Sequence, residues 1–125
     1  MEKEIQNVLT YFGIGMIVIV PIGFYGFIMI DKLIKHMYNS HNEEWTKVGK
    51  PSGLFYYPPE ARNLQSMISM QLNIFIWVFK TPEWTKNDVL SLSYLKKLRI
   101  SLAIANLSLL GLFILIAITI QGLIK

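Results

Sequence analysis

Cysteine is absent from the 125-residue chain, which excludes disulfides, thiolate metal sites and cysteine nucleophiles. Charge is scarce too: Asp, Glu, Lys and Arg make up 16% of residues, against about 25% in an ordinary soluble domain. Neither Val8–Ile30 nor Ser101–Ile120 contains an Asp, Glu, His, Lys or Arg. Neither run can therefore relay protons or ligate haem through its own side chains. No HExxH, no serine in a nucleophile elbow and no glycine-rich phosphate loop occurs, so no enzyme class is indicated. The basic residues form no dense block, so nucleic acid is not an expected partner, and no small-molecule substrate is evident.

What the chain does have is apolar residues, 53% of the total with a mean hydropathy of +0.42, gathered at its two ends. Val8–Ile30 is 23 residues without charge, enough for a helix across roughly 30 Å of hydrocarbon at 1.5 Å per residue. A cleaved signal peptide fits poorly, because MEKEIQN is mixed in charge and Asp31, Lys32 and Lys35 follow where a small-residue cleavage site belongs. Pro21 lies within the run, with Gly13, Gly15, Gly23 and Gly26 around it, which predicts a kinked helix. Gly13 and Gly23 are candidates for close helix contact, and Asn106 in the second run is a polar group seeking a partner helix.

The flanks set the expected orientation. Residues 31–99 hold ten Lys or Arg and six Asp or Glu, among them Lys32, Lys35, Lys96, Lys97 and Arg99 beside the apolar runs. The positive-inside rule assigns this middle to the cytoplasm and both termini to the outside. The expected organisation is a short external N-terminus (1–7), a transmembrane helix (8–30), a cytoplasmic segment (31–99), a second transmembrane helix (100–122) and an external end (123–125). The fold class is an all-α membrane protein, a hairpin of two transmembrane helices with cytoplasmic helical extensions and an amphipathic middle segment.

Within that middle, Leu33, Ile34, Met37 and Tyr38 carry the first helix about two turns further, to an end near 39–42. Five Gly and Pro residues between Gly49 and Pro59 predict turns. In 61–80, Leu64, Met67, Ile68, Leu72, Phe75 and Phe79 follow a helical stripe, although 69–74 also alternates as a strand would. Length favours a helix, lying at the membrane surface or packed by the same stripe on the helix extensions. Thr85 to Asp88 fits a capping box ahead of the last helix.

Glu-Trp-Thr-Lys occurs twice, at 44–47 within EEWTK and at 83–86 within PEWTK. The surroundings do not match, so the echo marks an edge rather than a repeat or an active site. A metal site from His36, His41 and Glu44 is not expected: five residues separate the histidines, which turns them apart on a helix. No cofactor is expected.

The sequence of a first span, an extension closing on H-x-x-x-W (His41, Trp45), then G-x-P (Gly49, Pro51) and a C-terminal span resembles the universal stress protein B family of small two-span bacterial inner-membrane proteins. That resemblance implies an integral, stress-associated membrane protein and brings no catalytic residues. Pro58-Pro59 and segment 61–79 fall outside it. The expected function is non-enzymatic: an accessory or regulatory subunit in the bilayer that contacts another membrane protein, or its own copy in a homo-oligomer. His41, Trp45, Gly49, Pro51, Phe55, Tyr56, Tyr57 and Trp84 are the candidate contacts. The alternative is a small pore-forming or permeabilising protein of the holin or toxin type, against which the lack of a polar stripe in either run counts.

Overall fold

The structure, a computed structural model, describes residues 1–124; Lys125, the last residue of the expected external end, lies outside them. The described residues form four α-helices, α1 (Glu2–Ser40), α2 (Asn42–Lys47), α3 (Leu64–Phe79) and α4 (Val89–Ile124), with single 3-10 turns at Pro59–Ala61 and Glu83–Thr85. No strand occurs among the described residues, so the strand-like alternation in 69–74 gives way to α3. α1 and α4, of 39 and 36 residues, are each long and apolar enough to cross a membrane. Only 17% and 6% of their most apolar windows are buried in protein. The core helix of a soluble protein would be mostly covered, so these two helices offer their apolar side chains to their surroundings.

The chain divides into two units, residues 1–24 with 101 onward, and Tyr25–Ile100. In the first, α1 runs unbroken from Glu2 through Pro21. The buried Ser101 donates its hydroxyl to the Ile22 carbonyl at 2.6 Å, and Leu112 lies against Gly15, where a Cβ would meet its side chain at 2.6 Å. The helix contact therefore falls at Gly15 and not at Gly13 or Gly23, whose Cβ positions have nothing within 4 Å. Asn106 also departs from expectation. It is exposed and donates to the Leu102 carbonyl of its own helix at 2.7 Å, because a carbonyl one turn back satisfies an amide without any second helix.

The second unit has a core. Gly26, Met29, Ile30, Leu33, Ile34 and Met37 are buried at helical spacing along α1, and Trp45, Met70, Trp77, Leu95 and Leu98 are buried with them in this unit. α2 ends in a Schellman turn: Gly49 N–H donates to the Thr46 carbonyl at 3.2 Å and Lys50 N–H to the Trp45 carbonyl at 2.9 Å. Such a turn needs a residue with positive φ after the cap. Gly49 has φ +97, and a Cβ there would stand 2.7 Å from Ser69 Oγ. Asp31, read from sequence only as a flanking charge, accepts from the backbone N–H groups of Leu54 and Phe55, and so fixes the start of the following loop to α1.

α3 is built the opposite way from a surface helix. Its buried residues are Ser66, Ser69, Met70, Asn73 and Trp77, while Leu64, Ile68, Leu72, Phe75 and Phe79 are exposed, by 49–77%. Two of the inward polar groups share one acceptor: Ser69 Oγ donates to the Val48 carbonyl at 2.7 Å and Asn73 Nδ2 to the same oxygen at 3.0 Å. Inward polarity is therefore paid back in hydrogen bonds, and the apolar stripe faces away from the unit, not onto the helix extensions. Asn63 caps the start of α3 by accepting from Ser66 N–H. At its other end Arg99 donates to the Trp77 carbonyl through Nε at 3.0 Å and Nη2 at 2.7 Å, and to Thr81 Oγ1 at 3.2 Å. A cation on the last carbonyls of a helix is favourable on charge alone.

Candidate functional site

Most of the sequence-selected contact residues hold the second unit together. Trp45 is 2% exposed, and its indole N–H donates to the Pro51 carbonyl at 2.9 Å. Pro51 is fully buried as well. Neither presents a surface to a partner, which corrects that expectation: the indole has found its acceptor six residues along its own chain. Gly49 forms the turn between them. Tyr56 lies under Lys35, with Nζ 5.7 Å from the ring centroid. Phe55 and Tyr57 are the exposed aromatic members of the set. With Arg62, Asn63, Leu64 and Met67 they line an open recess of about 640 Å³. Lys32, Lys35, Lys96 and Lys97 are exposed.

The two Glu-Trp-Thr-Lys stretches lie in different short helices, the first in α2 and the second in the 3-10 turn at Glu83–Thr85. Both pair Glu with Lys three residues on, Glu44 to Lys47 at 3.5 Å and Glu83 to Lys86 at 2.6 Å. Each threonine hydroxyl bonds back to a carbonyl, Asn42 for Thr46 and Pro82 for Thr85. Each tryptophan turns away from its exposed pair, Trp45 against Tyr38 and Trp84 against His41 and Trp77.

Trp84 borders a cluster of His36, His41 and Asp88, which the spacing of the two histidines argued against. α1 stops at Ser40, and His41 takes φ −133 and ψ 48, outside the helical region. The break cancels the angular separation that a continuous helix would impose on His36 and His41. Their Nε2 atoms each come to 2.6 Å from Asp88 Oδ2. The expectation that the pair turns apart is thereby corrected. Asp88 is the N-cap of α4, with Oδ1 accepting from the N–H groups of Leu90 at 3.1 Å and Ser91 at 3.3 Å. The cap falls on Asp88 itself, not on Thr85, whose N–H and hydroxyl both turn back to the Pro82 carbonyl. Ser91 Oγ also donates to Asp88 Oδ2 at 2.9 Å.

The three side chains are 19–25% exposed. Burial pushes the Asp88 carboxyl up, but the hydrogen bonds from His41, His36 and Ser91 outweigh it and hold the group well below the usual carboxylate range. Glu44, the third ligand considered from sequence, is paired to Lys47 instead. The overlooked member was Asp88, whose only sequence signal was its place before an apolar helix. Comparison with protein-family models, curated proteins and solved structures finds no match for this chain.

Proposed function

We propose that the chain is a two-span protein of the bacterial inner membrane, folded as a helical hairpin, with residues 31–99 in the cytoplasm and both termini outside. It acts without catalysis, as an accessory or regulatory subunit that contacts another membrane protein. The observation that carries this reading is the inside-out build of α3. A 16-residue helix with no charge of its own, with Ser66, Ser69 and Asn73 buried, Ser69 and Asn73 hydrogen-bonded inward, and Leu64, Ile68, Leu72, Phe75 and Phe79 outward beside the exposed Gln65 and Gln71, suits the headgroup–acyl boundary of a bilayer and not bulk water. Arg62 and Lys80 flank it, where cations can reach lipid phosphates.

The hairpin is supported by the order of contacts in the first unit. Ser101 meets Ile22 and, further along α4, Leu112 meets Gly15, further back along α1. The orientation rests on the Lys and Arg excess of residues 31–99. A stress-associated role rests on the resemblance carried by His41, Trp45, Gly49 and Pro51. The contact surface for the partner is the recess bordered by Phe55, Tyr57 and Arg62: aromatic rings beside a guanidinium are the groups that most often dominate protein contacts.

The test is affinity recovery of the tagged chain at native level in a mild detergent, beside the triple variant Phe55→Ala, Tyr57→Ala, Arg62→Ala. The expected result is a stoichiometric membrane protein with the wild type, at least tenfold depleted with the variant at unchanged chain level. Equal recovery by both, or recovery of the chain's own copies alone, overturns the assignment of that surface.

A further inference from the structure

We propose that His36, His41 and Asp88 form a binding site for a divalent transition-metal ion of the zinc class. Their ligand atoms lie within 4.8 Å of one another, and they come from three separate structural positions: the last turns of α1, the break after it and the cap of α4. Two imidazole nitrogens and one carboxylate oxygen are a set that zinc accepts with a water in the fourth position. Imidazole-rich sites also take the neighbouring first-row ions.

The hydrogen bonds at Asp88 are the first argument. Oδ2 faces His36 Nε2, His41 Nε2 and the Ser91 hydroxyl, while Oδ1 already takes two backbone N–H groups. A carboxylate offers about four lone-pair positions, two on each oxygen. Three donors on Oδ2 exceed the two positions of that one oxygen, and an imidazole that turned its lone pair to the oxygen instead would meet repulsion. A cation among the three atoms removes the conflict, because both nitrogens then present lone pairs to the ion and Oδ2 binds it too. Bonds of about 2.0–2.1 Å at a tetrahedral angle set ligand atoms roughly 3.3 Å apart. Both N–O distances stand at 2.6 Å and all three ligand atoms lie within 4.8 Å of one another, so binding requires side-chain rotation to bring each pair to that spacing.

The surroundings are the second argument. Ser91 Oγ and two backbone N–H groups orient the carboxylate, as outer partners do around bound metals. The Trp84 ring lies 5.0 Å from that of His41 and the Tyr94 ring 6.3 Å from that of His36, so the cluster is walled by aromatic surface yet partly open to solvent. The buried indole N–H of Trp84, whose ring borders His41, has no acceptor among the described residues. The site stands independently of the partner surface and of the membrane orientation.

Purified full-length chain in detergent, stripped with EDTA, is titrated with ZnCl2 against a chromophoric chelator, and separately with Co(II) for its visible spectrum. One equivalent of zinc is expected per chain, together with the intense absorption of tetrahedral Co(II) and a zinc-dependent rise in Tm. His36→Gln and His41→Gln should each weaken zinc at least tenfold and abolish the Co(II) band. Asp88→Asn, which keeps a good helix cap, should do the same, with helical content by circular dichroism unchanged. Zinc binding that is equal in wild type and the His36→Gln/His41→Gln double variant, or no stoichiometric zinc in the wild type, overturns the proposal.

Discussion

Replacing Trp45 with Ala should lower the stability of residues 25–100 by about 3–5 kcal/mol, the usual cost of truncating a buried tryptophan. The ring is 2% exposed and packs edge-on against Tyr38 at a centroid distance of 4.8 Å. Its N–H is the donor to the buried Pro51 carbonyl, so the variant creates a cavity and strips an acceptor together. Trp45→Phe separates the two effects. It retains much of the volume and should cost about 1–3 kcal/mol, the range for a buried polar group left without its partner. Thermal unfolding in a mild detergent reads both, and the expected order is wild type above Trp45→Phe above Trp45→Ala. In cells Trp45→Ala should lower the amount of chain, with partner recovery per chain unaltered. A Tm within a degree of wild type would mean that the 45–51 turn does not anchor this unit.

Asp88→Ala should be the next most damaging change, at about 2–4 kcal/mol, combining a lost helix cap with lost charge-assisted bonds. His36 and His41 share Oδ2 of this residue, and the first turn of α4 uses Oδ1. Asp88→Asn keeps a capping oxygen and should recover roughly the cap's share, about 1 kcal/mol. The pH dependence has a definite sign. The folded carboxyl titrates well below its ordinary value, so its contribution is complete above the unfolded value near 4 and is lost as pH falls through the lower folded value. The Tm gap between wild type and Asp88→Ala should accordingly hold from neutral pH to about pH 4.5 and narrow in stronger acid. A gap that widens on acidification would contradict the bonding described for Asp88.

The long helices were legible in the sequence because absence of charge over some twenty residues needs no tertiary information. α3 was legible as a helix for a similar reason, since length outweighed the strand-like alternation of 69–74. Its inward face was not. Ser69 and Asn73 look like part of a solvated stripe until Val48 supplies a carbonyl from a distant turn. Gly13 and Gly23 were singled out where Gly15 makes the contact, because which glycine meets Leu112 is fixed by helix register and not by local sequence. The His36–His41 pair was misjudged through an assumption of continuous helix; one non-helical residue, His41, changes which side chains meet. Arg99 was read as an orientation signal alone, and its bonds to the end of α3 depend on tertiary packing.

The most direct test of the account is single-cysteine accessibility in a chain that has none of its own. Cysteine is placed in turn at Lys3, Ser40 and Phe75, all exposed in the structure, and challenged with an impermeant maleimide in whole cells and in inverted vesicles. Labelling is expected at position 3 from outside only, at position 40 from the cytoplasmic side only, and at position 75 from neither until SDS dissolves the membrane. Labelling of position 40 from outside would contradict the orientation. Labelling of position 75 in intact vesicles as fast as position 40 would contradict the membrane-facing role of α3.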